Sequence, residues 1–212
     1  MLEQYRLENK LLRERYESLA KDYNARLPDY LPHHTKVLQP FVGFLNKDFG
    51  PGARVIDLGC GVGLNSCILN KHGFNVTGLD YSKNSIEHAK QNCPNTKFLH
   101  TDFLDWQPEE KFHGLVAGSF LDKFHPELLP EVFERLDSLL VYKGYGLMYV
   151  PTSKEESQKV DGSYNKKQKY NPYTALLERD NWLQHISKHF KVLEYYPGYG
   201  KRDFFISTFQ KR

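Results

Sequence analysis

Arg54 to Gly63 reads Arg-Val-Ile-Asp-Leu-Gly-Cys-Gly-Val-Gly, and this stretch decides the fold. Val55-Ile56 is a short apolar run that ends on an acid, Asp57. Gly59, Gly61 and Gly63 follow at alternate positions, and Asn65-Ser66 then open a segment with apolar residues at helical spacing. The pattern is that of a buried strand feeding a glycine-rich turn and a helix. Glycine lets the backbone take positive φ and lets a ligand approach where a Cβ would stand. The helix that follows points its free N–H groups into the turn.

The spacing excludes the commonest ligands of such turns. A dinucleotide fingerprint, G-x-G-x-x-G, would need its third glycine at Leu64 or Ser66. A phosphate loop would need Lys-Ser/Thr where Leu64-Asn65 stand. What remains is an acid two residues before G-x-G-x-G. A carboxylate there repels phosphate but accepts hydrogen bonds from an ammonium group, so the turn suits a ligand with a cationic amino-acid end. In this the chain resembles the class I S-adenosylmethionine-dependent methyltransferases, whose first motif is a strand followed by (D/E)-x-G-x-G-x-G. Asp57-Leu58-Gly59-Cys60-Gly61-Val62-Gly63 agrees with it at every defined position.

Length and composition agree with one catalytic unit. The chain has 212 residues, 40% of them hydrophobic, with a mean hydropathy of -0.63. That is enough for a full core, and no apolar run approaches the roughly 18 residues of a membrane span. The N-terminus carries Glu3, Glu8 and Glu14 and lacks a signal-peptide core, so a cytoplasmic protein is expected. The odd set Cys60, Cys67 and Cys93 argues against a disulfide framework. A net charge of +3 is too mild to imply nucleic acid.

Residues 2 to 25 read as an amphipathic helix. Within it, Tyr16-Glu17-Ser18-Leu19-Ala20-Lys21-Asp22-Tyr23-Asn24 resembles the Y-x-x-x-A-x-x-Y-(D/N) stretch of many small-molecule methyltransferases. In those proteins the segment folds over the cofactor, which implies contacts from Tyr16 and Tyr23; plain packing or a dimer interface is the other reading. Pro28 and Pro32 predict a loop over residues 26 to 34, a lid holding His33 and His34. No Cys or carboxylate stands at ligand spacing from the His pair, so no metal is expected. A second helix is predicted from Thr35 to Phe49, broken or started near Pro40.

After the turn, strand 75 to 79 ends at Asp80, where a doubly wound fold places the partner of the ribose hydroxyls. Tyr81 can lie against the adenine. The third strand, 96 to 100, leads to Asp102-Phe103, which resembles the family's adenine contact, with Asp105 a close competitor. The fourth strand ends at Gly118 and is followed by Ser119-Phe120, the segment where family members change chemistry. It lacks the (N/D)-P-P-(Y/F) of adenine-N6 and glutamine enzymes and the Cys of cytosine-C5 enzymes. It resembles the small-molecule branch, with Phe124-His125 before a Pro-started helix. The fifth strand is expected at 145 to 151. Residues 152 to 173 are Lys-rich without a core pattern, either a solvated loop or a lid attracting an anionic substrate. A final helix at 176 to 190 and a closing hairpin, 192 to 195 with 204 to 209, complete the reading.

The expected fold is α/β: three layers, doubly wound, a seven-stranded mostly parallel sheet with an antiparallel last strand. Residues 1 to 34 form an N-terminal helical cap and 35 to 212 the S-adenosylmethionine-binding domain. The resemblance implies S-adenosyl-L-methionine as cofactor, bound by Tyr16, Tyr23, Asp57, Gly59, Gly61, Gly63, Asp80, Tyr81, Asp102, Phe103, Ser119 and Phe120. A base is needed only for an acceptor that keeps its proton, and His125, His33 and His34 are the candidates. A small-molecule acceptor is expected, with no membrane partner. Methylation of a protein or RNA, and a non-catalytic binding module that dimerises through the N-terminal helix, stay open as alternatives.

Overall fold

A computed structural model describes residues 2 to 152, 177 to 197 and 204 to 212, with side chains from Leu12 onward. The Lys-rich segment from residue 153 and the hairpin tip at 198 to 203 lie outside the described residues. The elements are α1 (Leu2–Ala25), α2 (Leu27–Asp48), β1 (Arg54–Leu58), α3 (Leu64–Lys71), β2 (Asn75–Asp80), α4 (Lys83–Asn92), β3 (Lys97–His100), β4 (Phe112–Gly118), α5 (Leu129–Leu139), β5 (Leu140–Pro151), α6 (Arg179–His189), β6 (Phe190–Pro197) and β7 (Phe204–Lys211). Two short 3-10 turns, Leu121–Lys123 and Pro126–Leu128, separate β4 from α5.

The seven strands run in the order β3-β2-β1-β4-β5-β7-β6. The β1–β2, β1–β4, β2–β3 and β4–β5 pairs are parallel, while β7 runs antiparallel to both β5 and β6. The strand order reverses beside β1, the switch point at which open α/β sheets leave a crevice at their carboxyl ends.

Period-two alternation divides the central strands between two apolar layers. Ile56, Leu58, Leu115, Ala117, Met148 and Val150 pack toward α5 and α6. Val55, Val116, Leu147 and Tyr149 pack with Val37, Phe41 and Leu45 of α2 and with Ile68 and Leu69 of α3. The same alternation puts Asp57 on the α2 and α3 side, one residue past Ile56.

The loop expected at residues 26 to 34 is not a loop. It is the first turns of α2, which runs unbroken through Pro32 and Pro40. Pro28 sits in the first turn, where a missing N–H has no intrahelical partner to lose. Each internal proline costs about 3 kcal/mol. Val37, Leu38, Phe41, Val42 and Leu45 are buried by the helix, and each contributes about 1.5–3 kcal/mol on burial. Packing therefore outweighs local propensity.

β5 also starts earlier than expected, at Leu140. The Lys143-Gly144 turn lies inside it, with Lys143 at φ +59° and a register shift against β4 between Phe112 and Gly114. Ser82 caps α4, its side chain accepting from the Ser85 N–H at 3.1 Å.

Candidate active site

The carboxyl ends of β1, β2, β4 and β5 open into a cleft of about 600 Å³, roofed by α1 and the first turns of α2. Its size is that of a small-molecule site. Gly59, Gly61 and Gly63 all take positive φ, at 65°, 53° and 89°. A Cβ on Gly59 would strike the Phe120 ring at 2.8 Å, whereas one on Gly61 would meet no protein atom within 4 Å. Gly61 therefore faces open cleft, and Gly63 is turned away onto Ala89 of α4.

Asp80 lines the cleft at the end of β2. Its Oδ2 accepts from the Gly61 N–H at 2.9 Å and its Oδ1 from the Ser82 N–H at 2.8 Å. Burial raises its pKa, and these two donors pull it back. Each carboxylate oxygen keeps further acceptor capacity for a ligand hydroxyl. Tyr81 follows on the cleft wall, edge-on to Tyr16 at 6.4 Å, and Tyr16 stacks on Tyr23 at 6.3 Å.

α1 is tied down at both ends of this contact. The Asn84 N–H donates to Glu17 Oε1 at 3.0 Å, and Asn92 Nδ2 donates to Asn24 Oδ1 at 2.8 Å and to the Val62 carbonyl at 2.9 Å. Arg13 pairs with Asp102 and lies 5.3 Å from the centre of the Tyr81 ring.

The cleft brings together Tyr16, Tyr23, His33, His34, Gly59, Gly61, Asp80, Tyr81, Ser119 and Phe120. Asp57, Gly63, Asp102, Phe103 and His125 are not on its lining. Phe103 packs edge-on against Phe120 at 5.3 Å, behind the wall. His125 caps the turn at Pro126, its Nδ1 accepting from the Glu127 N–H at 3.3 Å. Successive helical residues point about 100° apart. In α2 this leaves His33 exposed and turns His34 toward the sheet.

The lining residues that the motifs did not point to include Asn65, Lys123 and Tyr149. Tyr149 stands near the carboxyl end of β5, where the switch-point rule could have directed attention. Asn65 gave a weaker signal as a buried amide just past the glycine turn. Lys123 pairs with Asp122, which is 1% exposed, and also hydrogen-bonds Tyr16. Burial alone would lower the Lys123 pKa, but Asp122 and Tyr16 outweigh it and hold the ammonium charged.

Asp57 lies under the cleft floor, 1% exposed, with Ser66 Oγ donating to its Oδ2 at 2.6 Å. Burial pushes its pKa up to about 7, against hydrogen bonds from Ser66 and Asn65. The folded chain thus holds this proton more tightly than the unfolded chain does. The associated stability is present below about pH 4 and is lost as pH rises to about 7, on the order of 4 kcal/mol in all. Asp57→Asn should therefore gain on the wild type between about pH 5 and about pH 8. Urea unfolding at both pH values checks this, and an equal difference at both would mean that Asp57 does not titrate in that window.

Comparison with known proteins agrees with this geometry. Residues 55–144 match a family described as a methyltransferase domain. Over 96 residues the chain is 33% identical to a probable thiol methyltransferase 2 of Arabidopsis thaliana, covering 42% of each chain. Over 85 residues it is 39% identical to a trans-aconitate 2-methyltransferase of Rhizobium etli, covering 39% of this chain and 32% of that one. The matched stretch thus spans less than half the length of these curated relatives. Among solved structures, a magnesium protoporphyrin IX methyltransferase from Synechocystis with bound SAH superposes with a TM-score of 0.74 at 17% identity, covering 96% of this chain and 100% of that one. A TehB-like SAM-dependent methyltransferase from Corynebacterium glutamicum gives 0.63 at 16% identity, covering 92% and 99%. Residues 55–144 are thus similar to a methyltransferase domain, and the chain as a whole has the fold of solved S-adenosylmethionine-dependent methyltransferases.

Proposed function

We propose that the chain is an S-adenosylmethionine-dependent methyltransferase acting on a small molecule in the cleft beneath α1 and α2. The observation that carries this is the pairing of Asp80 with the glycine turn. A carboxylate with spare acceptor capacity faces a turn whose Gly61 leaves room for a ligand. These features fit a nucleoside with an amino-acid tail: Asp80 accepts from the ribose hydroxyls, and Tyr81 and Phe120 flank the base. Gly59 and Gly61 let the tail approach the backbone. Asp57 contributes negative potential from below once it ionises above about pH 7. Asp102 and Phe103 act from behind the wall, with Arg13 joining Asp102 to the cap.

When bound, S-adenosylmethionine supplies a methyl group on a sulfonium that carries its own leaving group. The chain's task is then to align donor and acceptor and to exclude water. Residues 1 to 34 do this as a lid over the domain formed by 35 to 212, with Tyr16, Tyr23 and Tyr30 as its inner surface. Relatives named for a thiol and for trans-aconitate support a small acceptor. Arg26 in the cleft wall favours an anionic one. Among the described residues no helix is long and apolar enough to cross a membrane. Cytoplasmic residence and a homodimer through α1 complete the reading, and sedimentation of the purified protein tests the dimer.

Calorimetry with S-adenosylmethionine and its demethylated product tests the central claim. Asp80→Ala should bind either ligand about 1–3 kcal/mol more weakly, because ligand hydroxyls lose a charged acceptor. Wild-type affinity in a folded Asp80→Ala protein would remove Asp80 from the site.

A further inference from the structure

Asn65, His34 and Tyr149 meet at one corner of the cleft, from three separate elements. His34 Nδ1 lies 2.8 Å from Asn65 Oδ1, and Asn65 Nδ2 donates to the Tyr149 hydroxyl at 3.0 Å. The His34 ring stands edge-on to the Tyr149 ring at 5.6 Å. With its N–H2 turned toward Tyr149, the amide presents its carbonyl oxygen to His34. Nδ1 of His34 also lies 3.3 Å from the Tyr149 hydroxyl, but the shorter contact is to a carbonyl, which accepts and never donates, so that pairing puts the proton on Nδ1. The lone pair is then on Nε2, which makes no hydrogen bond to any described residue.

We propose that His34 is the general base for the methyl acceptor, held in the Nδ1–H tautomer by Asn65 as its positioning residue, and that the acceptor is a small thiol or phenol. The proposal rests on the methyl-transfer reading above. The acceptor's S–H or O–H proton passes to the Nε2 lone pair, leaving a thiolate or phenolate and an imidazolium. The nucleophile's electron pair then forms the new bond to the methyl carbon. The pair of the broken S–C bond stays on the donor sulfur, and the imidazolium returns its proton to water.

The groups around His34 suit that task. His33 and Tyr30 lie beside it on α2, Tyr149 faces it from β5, and Asn65 reaches it from α3 with Asp57 behind. Burial lowers the His34 pKa, Asn65 opposes the shift and His33 adds to it. The ring is therefore neutral and able to accept a proton at neutral pH. Burial raises the Tyr149 pKa, so its hydroxyl stays protonated and does not compete as a base. A carboxylic acid acceptor would already be ionised and would need none of this. An acceptor with a proton of intermediate acidity does.

Long-range ¹H–¹⁵N correlation NMR on histidine-labelled protein reads the tautomer without turnover. The wild type should show His34 as the Nδ1–H form, and Asn65→Leu should lose that signature. A wild-type Nε2–H form overturns the proposal whatever the activity. Turnover is then read with thiophenols and phenols of graded acidity. His34→Gln should lower kcat by about 100-fold or more for the weakly acidic members. The loss should shrink toward none for members already ionised at the assay pH. An equal loss across the series assigns His34 a structural role and overturns the base. A wild type that binds S-adenosylmethionine but turns over no thiol or phenol overturns the acceptor class. A wild type that binds no S-adenosylmethionine overturns the underlying reading instead, while the NMR result still decides the network.

Discussion

Gly61→Val is expected to lose S-adenosylmethionine binding by about 100-fold or more while the chain still folds. Gly61 takes φ +53°, a region that costs an L-residue roughly 1–2 kcal/mol and a β-branched one more. That strain falls on stability and shows as a modest drop in Tm. The larger effect falls on the ligand. A Cβ at Gly61 meets no protein atom within 4 Å, because it projects into the cleft. Two γ-methyl groups would occupy the space beside the Asp80 carboxylate, whose Oδ2 takes the Gly61 N–H at 2.9 Å. Gly59 offers a contrast, since its Cβ would meet Phe120 at 2.8 Å and so disturb the wall as well. Calorimetric titration with the demethylated cofactor checks the prediction. Near wild-type affinity in Gly61→Val would show that this turn is not the cradle.

Lys123→Met is expected to destabilise the fold by about 3–5 kcal/mol, the usual cost of stranding one member of a buried ion pair. Asp122 and Lys123 are 1% and 17% exposed, and the pair sits in the 3-10 turn directly after β4. Oδ1 of Asp122 has no hydrogen bond, so loss of Lys123 leaves the carboxylate nearly without compensation. Replacing both partners with apolar residues should recover most of the loss, because no buried charge then remains. Lys123 Nζ also lies 5.9 Å from the centre of the Tyr16 ring. The substitution should therefore loosen α1 over the cleft, seen as faster hydrogen exchange around Tyr16. Urea unfolding of the single and double variants decides the matter. A single-variant loss below about 1 kcal/mol would mean that the pair behaves as a solvated one.

The sheet and its ligand end were legible because both rest on short-range rules. Val55-Ile56-Asp57 followed by alternate glycines can be satisfied by few backbones, since positive φ at three near-consecutive positions excludes most side chains. Asp80 was readable for a similar reason. A strand end followed by a helix cap places a carboxylate and two backbone donors within a few residues. Alternation along β1, β4 and β5 set which residues face which layer.

Packing decided the rest. Pro28 and Pro32 argue locally for a loop, yet burial of Phe41, Leu45 and their neighbours extends α2 back to Leu27. That extension turns His34 inward and leaves His33 exposed, a choice that adjacent identical residues cannot announce. The meeting of His34, Asn65 and Tyr149 joins residues up to 115 positions apart. No local pattern encodes such a contact, because it exists only once α2, α3 and β5 share one face of the sheet. Arg13 on Asp102 is the same kind of fact, 89 residues apart in the chain. The sequence by itself determined the turn, the mostly parallel doubly wound sheet it belongs to and the acid at the end of β2. Only the tertiary structure decided which side chains close the cleft, since that depends on long-range packing energy rather than on backbone preference.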